Sequence, residues 1–246
     1  MHLLRSATGV SVFLPEGRTL PLVHILGIGR NYAEHAREQG AKVPDAPMVF
    51  TKNSAAACLS GDAIVVPRVC QDAAYLGGAE GQVDFEGELA VVVGPEPVRD
   101  VSKADALNRV LGYCVANDVS ARWWQKSGSG GQFFRGKSFD TFCPLGPRVV
   151  AAKEVSDPGK LRIVTKVNGQ VMQDASTGDM IFDVATLISD LSRGMTLLPG
   201  TVILTGTPSG VGMSRTPPVW LKHGDEVEVT IEPIGTIRNR VVFEGK

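Results

Sequence analysis

The stretch Val83-Asp84-Phe85-Glu86-Gly87-Glu88-Leu89-Ala90-Val91 alternates apolar and acidic residues with a period of two. Because successive side chains of a β-strand point to opposite faces, the pattern predicts a strand with one apolar and one acidic face. Carboxylates two positions apart on one face lie about 7 Å apart and repel each other unless water or a cation screens them. The predicted acidic face consists of Asp84, Glu86 and Glu88.

Two interpretations of this acidic face are open. It is either the solvated face of an edge strand or a binding site for a hard cation. The stretch contains neither His nor Cys, and oxygen ligands alone suit magnesium, manganese or calcium rather than zinc.

Strand patterns also dominate the chain on both sides of this stretch. Asn168-Gly169 separates two extended runs and predicts a type I′ hairpin, because both residues tolerate a positive φ. Helical patterns are fewer and lie at residues 31–39, 102–109 and 181–193. Since strands and helices do not alternate regularly, a doubly wound parallel sheet is disfavoured and a strand-rich α+β fold is predicted. The predicted strands are residues 9–14, 22–28, 48–52, 64–66, 83–93, 110–117, 148–151, 162–167, 202–205, 226–232 and 236–243.

Composition excludes several classes of function. The 246 residues include 25 Lys plus Arg and 26 Asp plus Glu, a formal net charge of -1, so no broad positive field favours nucleic acid or a membrane surface. No apolar run approaches the roughly 18 to 20 residues of a membrane span. The N-terminus reads as folded structure rather than a targeting segment. The cysteines lack the spacing of a zinc or redox site and are expected to be reduced, partly buried thiols of a cytoplasmic protein: Cys58, Cys70, Cys114 and Cys143.

A further acid follows the apolar run at residues 110–117. Asp118 stands where that strand is expected to end, a position at which functional ligands are common. The alternative is a helix cap or an Asx turn. Arg122 and Gln125 follow it, and an arginine can bind a carboxylate through two hydrogen bonds, although a surface arginine is the commoner case.

His35 and Glu38 are three residues apart on the first predicted helix, so both lie on one face. A carboxylate in that position can orient a histidine and raise its basicity, as in a general-base pair. The alternative is a weak ion pair on the surface.

The residues 131–138 match the phosphate-binding pattern G-x-x-x-x-G-K-[ST]. We interpret the match as coincidental, because a P-loop needs a buried strand before it and a helix after it, whereas polar residues precede Gly131 and Pro144 follows closely. Lys137 is nevertheless a candidate cation on a loop near the acids. The glycine-rich residues 127–132 are predicted to form a loop that orders over bound substrate.

Taken together, these segments resemble the smaller form of the fumarylacetoacetate hydrolase (FAH) family, which includes acylpyruvate hydrolases, oxaloacetate decarboxylases and dienedioate isomerases. The resemblance runs through almost the whole chain. The blocks that carry it are Gly27-Ile28-Gly29-Arg30-Asn31-Tyr32-Ala33-Glu34-His35, Asp84-Phe85-Glu86-Gly87-Glu88-Leu89-Ala90, Asn117-Asp118-Val119-Ser120-Ala121-Arg122, Gly136-Lys137-Ser138-Phe139-Asp140-Thr141, Met180-Ile181-Phe182 and Pro199-Gly200-Thr201-Val202-Ile203-Leu204-Thr205-Gly206-Thr207-Pro208-Ser209-Gly210-Val211-Gly212.

The resemblance implies a role for each matching residue. It makes a divalent cation, Mg²⁺ or Mn²⁺, the cofactor, and it makes Asp84 a neighbour of that cation rather than a ligand. The implied metal ligands are Glu86, Glu88 and Asp118. The implied catalytic residues are His35, Glu38 and Lys137, and the implied substrate-binding residues are Arg122, Gln125, Lys52 and Thr207.

The resemblance also implies an architecture. The fold would be a mixed β-roll of packed sheets with peripheral helices, and the protein a homodimer. Residues 1–20 would form a short N-terminal strand segment and residues 21–246 the FAH-like catalytic domain. Two departures from the family pattern, Trp123 and the pair Lys52-Asn53, leave the identity of the substrate open.

The function expected from this resemblance is hydrolysis of a carbon–carbon bond in an acylpyruvate such as fumarylpyruvate. A 2-oxo acid chelates a divalent cation, which stabilises the enolate that bond cleavage leaves. Alternatives on the same site are an oxaloacetate decarboxylase or tautomerase and a 2-hydroxyhepta-2,4-diene-1,7-dioate isomerase. A more remote alternative is a non-catalytic protein that binds a small acid with a metal.

Overall fold

The computed structural model describes residues 1–6, 9–78 and 81–246; Ala7 and Thr8, which belong to the predicted N-terminal segment, lie outside the described residues. The helices of the described chain are α1 (Ala33–Glu38), α2 (Lys103–Ala106), α3 (Arg122–Gln125), α4 (Phe133–Lys137) and α5 (Val184–Leu191). Its strands are β1 (His2–Ser6), β2 (Gly9–Phe13), β3 (Thr19–Pro21), β4 (His24–Gly29), β5 (Met48–Lys52), β6 (Ala57–Leu59), β7 (Ile64–Val66), β8 (Val83–Asp84), β9 (Gly87–Val93), β10 (Val110–Asn117), β11 (Ser120–Ala121), β12 (Cys143–Ala151), β13 (Arg162–Val167), β14 (Gln170–Ser176), β15 (Thr201–Leu204), β16 (Glu226–Ile231) and β17 (Gly235–Phe243).

A seven-stranded mixed sheet in the order β5-β4-β15-β9-β10-β12-β6 forms the centre of the fold. Strand β9 lies in its middle and pairs antiparallel with β10 on one side and β15 on the other. The pairs β15 with β4 and β12 with β6 are parallel. Every residue of β9 is buried. Glu88, which belongs to this strand, is therefore held inside the protein.

Two further sheets cover the central one. Leu89 of β9 belongs to the core cluster that includes Ile163 and Val229 of the five-stranded sheet β14-β13-β16-β17-β7. Its neighbour Ala90 belongs to a second cluster that includes Val12 of the three-stranded sheet β1-β2-β3. Alternate residues of one strand thus pack in opposite directions. The fold is a strand-rich α+β roll of packed sheets, which confirms the predicted class.

The prediction of one continuous strand over residues 83–93 is wrong. The strand is broken at Phe85 and Glu86, because Asp84 pairs with β11 whereas Gly87 pairs with β10. Side chains supply hydrogen bonds at the break: the Phe85 N–H donates to Asp84 Oδ1, and the Glu86 N–H donates to Asn117 Oδ1. The solvated-edge interpretation is wrong too, since all three acids are at most 5% exposed in the interior.

Other local predictions are confirmed with small shifts. Asn168 and Gly169 have φ of 51° and 80° and join β13 to β14 as the expected hairpin. The last predicted helix is shorter than residues 181–193: α5 begins after Asp183, whose carboxylate caps it by accepting a hydrogen bond from the Thr186 N–H. Within the described chain, no helix has both the length and the apolar character needed to span a membrane.

The four cysteines are all free, as the sequence predicts, but they are fully rather than partly buried. Burial raises the pKa of the Cys70 thiol to about 12. The pKa of Cys114 and that of Cys143 are also about 12, with burial again the largest cause. These thiols are therefore packing residues that stay protonated near neutral pH.

Candidate active site

The buried carboxylate, lysine and arginine side chains of the described residues all belong to one cluster. A buried charge is costly unless it is paired, so a concentration of such groups marks a functional site more often than a stabilising one. The cluster consists of Lys52, Asp84, Glu86, Glu88, Asp118, Arg122 and Lys137.

Three carboxylates of this cluster have the geometry of a metal site. Glu86 precedes β9, Glu88 lies within it, and Asp118 follows the neighbouring strand β10. One oxygen from each lies within 4.8 Å of the other two. The strand pairing brings them together, because Glu88 lies opposite Ala116 and Gly87 opposite Asn117. An all-oxygen donor set of this kind fits Mg²⁺ or Mn²⁺.

Two buried lysines neutralise part of this negative charge. Lys52 Nζ donates to Asp118 Oδ1 at 2.5 Å, and Lys137 Nζ donates to Asp118 Oδ2 at 2.6 Å. Lys137 also donates to Glu86 Oε2 at 2.5 Å. Although burial opposes the charged form, Asp118 and Glu86 hold the pKa of Lys137 above its ordinary value. Lys137 therefore stays positively charged inside the protein.

The guanidinium of Arg122 is occupied mainly by contacts with acidic side chains, so only part of it is available to a ligand. Its Nε and Nη2 atoms donate to Asp84 Oδ2 at 2.9 and 2.8 Å, and Nη2 also lies 2.7 Å from Glu86 Oε1. Its Nη1 donates to Gln125 Oε1 at 2.9 Å. The surface-arginine alternative is wrong, since Arg122 is 2% exposed. Asp84 thus acts as the partner that fixes this arginine.

Glu88 is the carboxylate of this cluster that lacks a cationic partner in the described chain. Four acids of the cluster face three cations, and in the described chain Glu88 forms no ion pair with any of them. Its Oε2 accepts a hydrogen bond from the Gly206 N–H at 2.6 Å. Burial and the charges of Asp118 and Glu86 raise the pKa of Glu88 well above its ordinary value. A divalent cation at this point would relieve the repulsion, so the donor set fits the metal that the family resemblance implies.

The neighbouring carboxylate behaves in the opposite way. Burial opposes ionisation of Glu86, but the Lys137 ammonium and the Arg122 guanidinium hold the pKa of Glu86 below its usual range. Glu86 is therefore ionised and ready to act as a ligand.

His35 and Glu38 form the predicted pair on α1. The surface alternative is wrong for this histidine, which is 3% exposed. His35 Nδ1 lies 2.7 Å from Glu38 Oε1, and His35 Nε2 lies 2.8 Å from Gln39 Nε2. Arg30 Nε donates to Gln39 Oε1, which turns the amide NH₂ of Gln39 toward the ring. Nε2 is therefore the accepting atom and Nδ1 carries the proton that is donated to Glu38.

The segment that follows β15 holds several of these carboxylates through its backbone. The Gly210 N–H donates to Glu38 Oε2 at 2.9 Å, and the Gly212 N–H donates to Asp84 Oδ1 at 2.8 Å. A Cβ at Gly212 would lie 1.9 Å from the Val219 carbonyl oxygen and 2.6 Å from Asp84 Oδ1. Glycine is therefore needed for the backbone to approach these acids.

Lys137 lies in helix α4 and not on a loop, which corrects its expected setting. Gly136 allows this helix to pack on α3, since a Cβ there would lie 2.5 Å from the Gln125 backbone nitrogen and 2.8 Å from the Ala121 carbonyl oxygen. The P-loop interpretation stays rejected, because the matching residues include this helix itself and no strand directly precedes Gly131 in the described chain.

A narrow cavity reaches this cluster. Seven of the ten predicted metal, catalytic and substrate-binding residues line it, whereas Lys52, Glu38 and Asp118 do not. Asp84 does not line it either. Thr207 is buried, and its hydroxyl donates to the Gly87 carbonyl at 2.9 Å while accepting from Gln173 Nε2. The lining residues are Ile28, Gly29, Arg30, His35, Gln39, Phe50, Glu86, Glu88, Arg122, Gln125, Phe133, Lys137 and Thr207.

Two polar residues of this wall, Arg30 and Gln39, were not singled out from the sequence. Gln39 follows His35 by four residues, a helical spacing that would have placed it beside the ring. Arg30 has no such local signal, because its place depends on the packing of β4 against the rest of the sheet.

Comparison with known proteins agrees with this site. The chain matches the fumarylacetoacetate (FAA) hydrolase C-terminal family over residues 24–242. It is 46% identical over 218 residues to a Bos taurus protein named oxaloacetate tautomerase FAHD2A, mitochondrial. That match covers 89% of this chain, which spans 66% of the length of the relative.

Two solved structures have the same fold. 2-Hydroxyhepta-2,4-diene-1,7-dioate isomerase from Mycobacterium marinum is 42% identical with a TM-score of 0.76, over 93% of this chain and 79% of that one. Fumarylpyruvate hydrolase from Pseudomonas aeruginosa, solved in complex with Mn²⁺ and pyruvate, is 30% identical with a TM-score of 0.81, over 99% of this chain and all of that one (100%). The matched residues, the roll of packed sheets and the buried acidic triad lead to one conclusion: the chain belongs to the fumarylacetoacetate hydrolase family of enzymes.

Proposed function

We propose that the chain catalyses divalent-metal-dependent proton transfer on a small 2-oxo acid, with keto–enol interconversion of oxaloacetate as the reaction. One observation carries the proposal: His35, oriented by Glu38, faces the same cavity as Glu86 and Glu88. The name of the bovine relative, an oxaloacetate tautomerase, supports the choice of substrate.

The cation would be Mg²⁺ or Mn²⁺, held by Glu86, Glu88 and Asp118. When bound, it supplies a positive charge that polarises the keto group of a 2-oxo acid. The Mn²⁺ and pyruvate in the related fumarylpyruvate hydrolase structure support this pairing of metal and ligand class.

The protein's own residues handle the proton. His35 Nε2 exchanges its hydrogen bond from the Gln39 amide for a proton from the carbon next to the keto group. The protonated imidazole then returns a proton to the keto oxygen, so the enol forms with no net gain or loss of protons. Glu38 keeps the accepting nitrogen turned toward the cavity by binding Nδ1. Lys137 and Arg122 place fixed positive charge around the same space, which offsets the negative charge that develops on the substrate. Gln125 retains its amide NH₂ group for positioning, because its oxygen accepts from Arg122.

A second candidate function is hydrolysis of an acylpyruvate such as fumarylpyruvate. It is favoured by the fumarylpyruvate hydrolase structure, which this chain matches over nearly its full length. In this reaction the same His35 would take its proton from a water molecule rather than from carbon, and the water oxygen would attack the distal carbonyl. The carbon–carbon bond to the pyruvate unit would then break, and the released enolate would take the proton back from His35. The two functions therefore differ in the source of the proton and share the rest of the site.

The test is a spectrophotometric comparison of substrates with the purified protein and Mg²⁺. We expect the ultraviolet absorbance of enol oxaloacetate to decay faster than in buffer with Mg²⁺ alone. We also expect this enhancement to exceed any turnover of acetylpyruvate or fumarylpyruvate. Faster turnover of an acylpyruvate would favour the hydrolase, and no turnover of any 2-oxo acid would refute both functions.

A further inference from the structure

The cavity that reaches the acids adjoins a wider one, with which it shares lining residues. The inner cavity has a volume of about 20 Å³, which is room for about one water-sized group. The outer cavity has a volume of about 460 Å³ and shares the walls Arg30, Gln39, Gln125 and Phe133 with the inner one. A substrate whose reacting end enters the inner cavity must therefore place its remaining atoms in the outer one.

The outer cavity is positively charged. Among the residues that the structure describes, no acidic side chain lines it, and the two ionisable lining residues are Arg30 and Lys126. Burial, together with the charges of Arg122 and Arg30, lowers the pKa of Lys126, as expected where positive charges converge. The lining residues are Arg30, Gln39, Gln125, Lys126, Ser127, Gly131, Phe133 and Met213.

Arg30 differs from the other arginine of the site in having donors to spare. Arg122 is committed to Asp84, Glu86 and Gln125. Arg30 donates one long hydrogen bond, from Nε to Gln39 Oε1 at 3.4 Å, and forms no ion pair with any residue the structure describes. A half-buried guanidinium that donates only one hydrogen bond within the described chain is suited to bind the carboxylate of a ligand.

The backbone at this position gives a second indication. Arg30 follows β4 with a φ of 56°, in the left-handed region that glycine adopts at lower cost. Strained backbone of this kind is concentrated at ligand-binding and active sites. The presence of arginine rather than glycine in this conformation is consistent with a function for the arginine side chain.

We propose that Arg30 determines substrate specificity by binding a second carboxylate at the far end of the 2-oxo acid, so that the enzyme prefers dicarboxylates. The proposal rests on the proposed function, because it assumes that the 2-oxo end lies at the buried acids. Arg30 lies between the two cavities, and Lys126 adds positive charge beyond it.

The test compares two unreactive ligands by isothermal titration with the Mn²⁺-loaded protein. Oxalylglycine and N-ethyloxamate share the oxamate end, but only the first has a distal carboxylate. We expect the wild type to bind oxalylglycine at least about 10-fold more tightly, the effect of one charge-assisted pair. In Arg30→Gln the preference should fall to within about 2-fold. Arg37→Gln is the matched control, since Arg37 is exposed on the adjacent helix and ion-paired to Glu34.

Arg30→Gly is the second variant, because glycine accepts this backbone conformation and keeps the fold; it should lose the preference equally. Retention of the preference in both variants, or equal binding of the two ligands by the wild type, would overturn the role of Arg30 while oxaloacetate turnover still supports the proposed function. Failure of the wild type to bind either ligand with Mn²⁺ would refute the proposed function and this inference together.

Discussion

Removal of the His35 imidazole is the perturbation that separates the reactions open to this site. His35 is 3% exposed and hydrogen-bonded at both ring nitrogens. A water molecule that entered the space left by the imidazole would therefore not be held in the same position as a base. A positioned general base contributes about 10²- to 10⁴-fold, which corresponds to roughly 3 to 5 kcal/mol of barrier. We expect His35→Ala to lose oxaloacetate tautomerisation, and any acylpyruvate hydrolysis, by at least about 10²-fold. Decarboxylation should fall far less, because it needs chiefly the metal and a positioned carboxylate.

A milder substitution should cause a smaller loss of the same reactions. Glu38→Gln leaves the base in place and removes only the charge that orients it, so we expect a loss of about 10-fold, near 1.4 kcal/mol. Arg37→Gln, on the same helix but exposed, should change none of the rates.

The assay follows enol absorbance, diketo absorbance and pyruvate release on the same protein preparations with Mg²⁺. Thermal unfolding and Mn²⁺ binding confirm that each variant keeps its fold and its metal site. Equal losses in all three reactions, with fold and metal binding intact, would show that His35 binds every substrate and is not a proton-transferring base.

Three further outcomes follow from the packing around the site. Gly136→Ala should destabilise the protein by about 1 to 3 kcal/mol in urea unfolding and reduce activity by displacing Lys137. Phe134→Ala, on the exposed side of the same helix, is its control, and unchanged stability in Gly136→Ala would contradict the close packing of α4 on α3. Because burial raises the pKa of three thiols to about 12, no cysteine should react rapidly with Ellman's reagent at pH 8, whereas all four should react in denaturant. Hydrogen exchange over residues 127–132, which contribute to the outer cavity, should slow when oxalate and Mn²⁺ bind, and unchanged exchange at saturation would remove the support for a closing loop.

Local patterns predicted those features that depend on neighbouring residues. The period-two alternation marked Glu86 and Glu88 as candidate cation ligands, and the family resemblance then favoured that role over a solvated edge. The Asn168-Gly169 pair identified a hairpin, and the three-residue spacing identified His35 with Glu38. The hairpin and helix signals act over a few residues and do not depend on how distant segments pair.

Features that depend on distant pairing could not be predicted in this way. The break at Phe85 arises because β8 and β9 pair with different strands, and this pairing is invisible in the alternation itself. Lys52 lies 66 residues from Asp118 in sequence, so only the closed sheet brings the two together. Arg30 likewise acquires its place beside two cavities from the assembled fold.

The most direct test of the central claim is the rate of oxaloacetate tautomerisation by metal-free protein as Mg²⁺ is added back. If Glu86, Glu88 and Asp118 hold the cation on which the reaction depends, protein freed of metal by chelation should be inactive. Activity should then return along a saturable Mg²⁺ curve, and Glu88→Gln should shift that curve to higher concentration. Full activity in excess chelator, with metal content shown to be nil, would contradict the account.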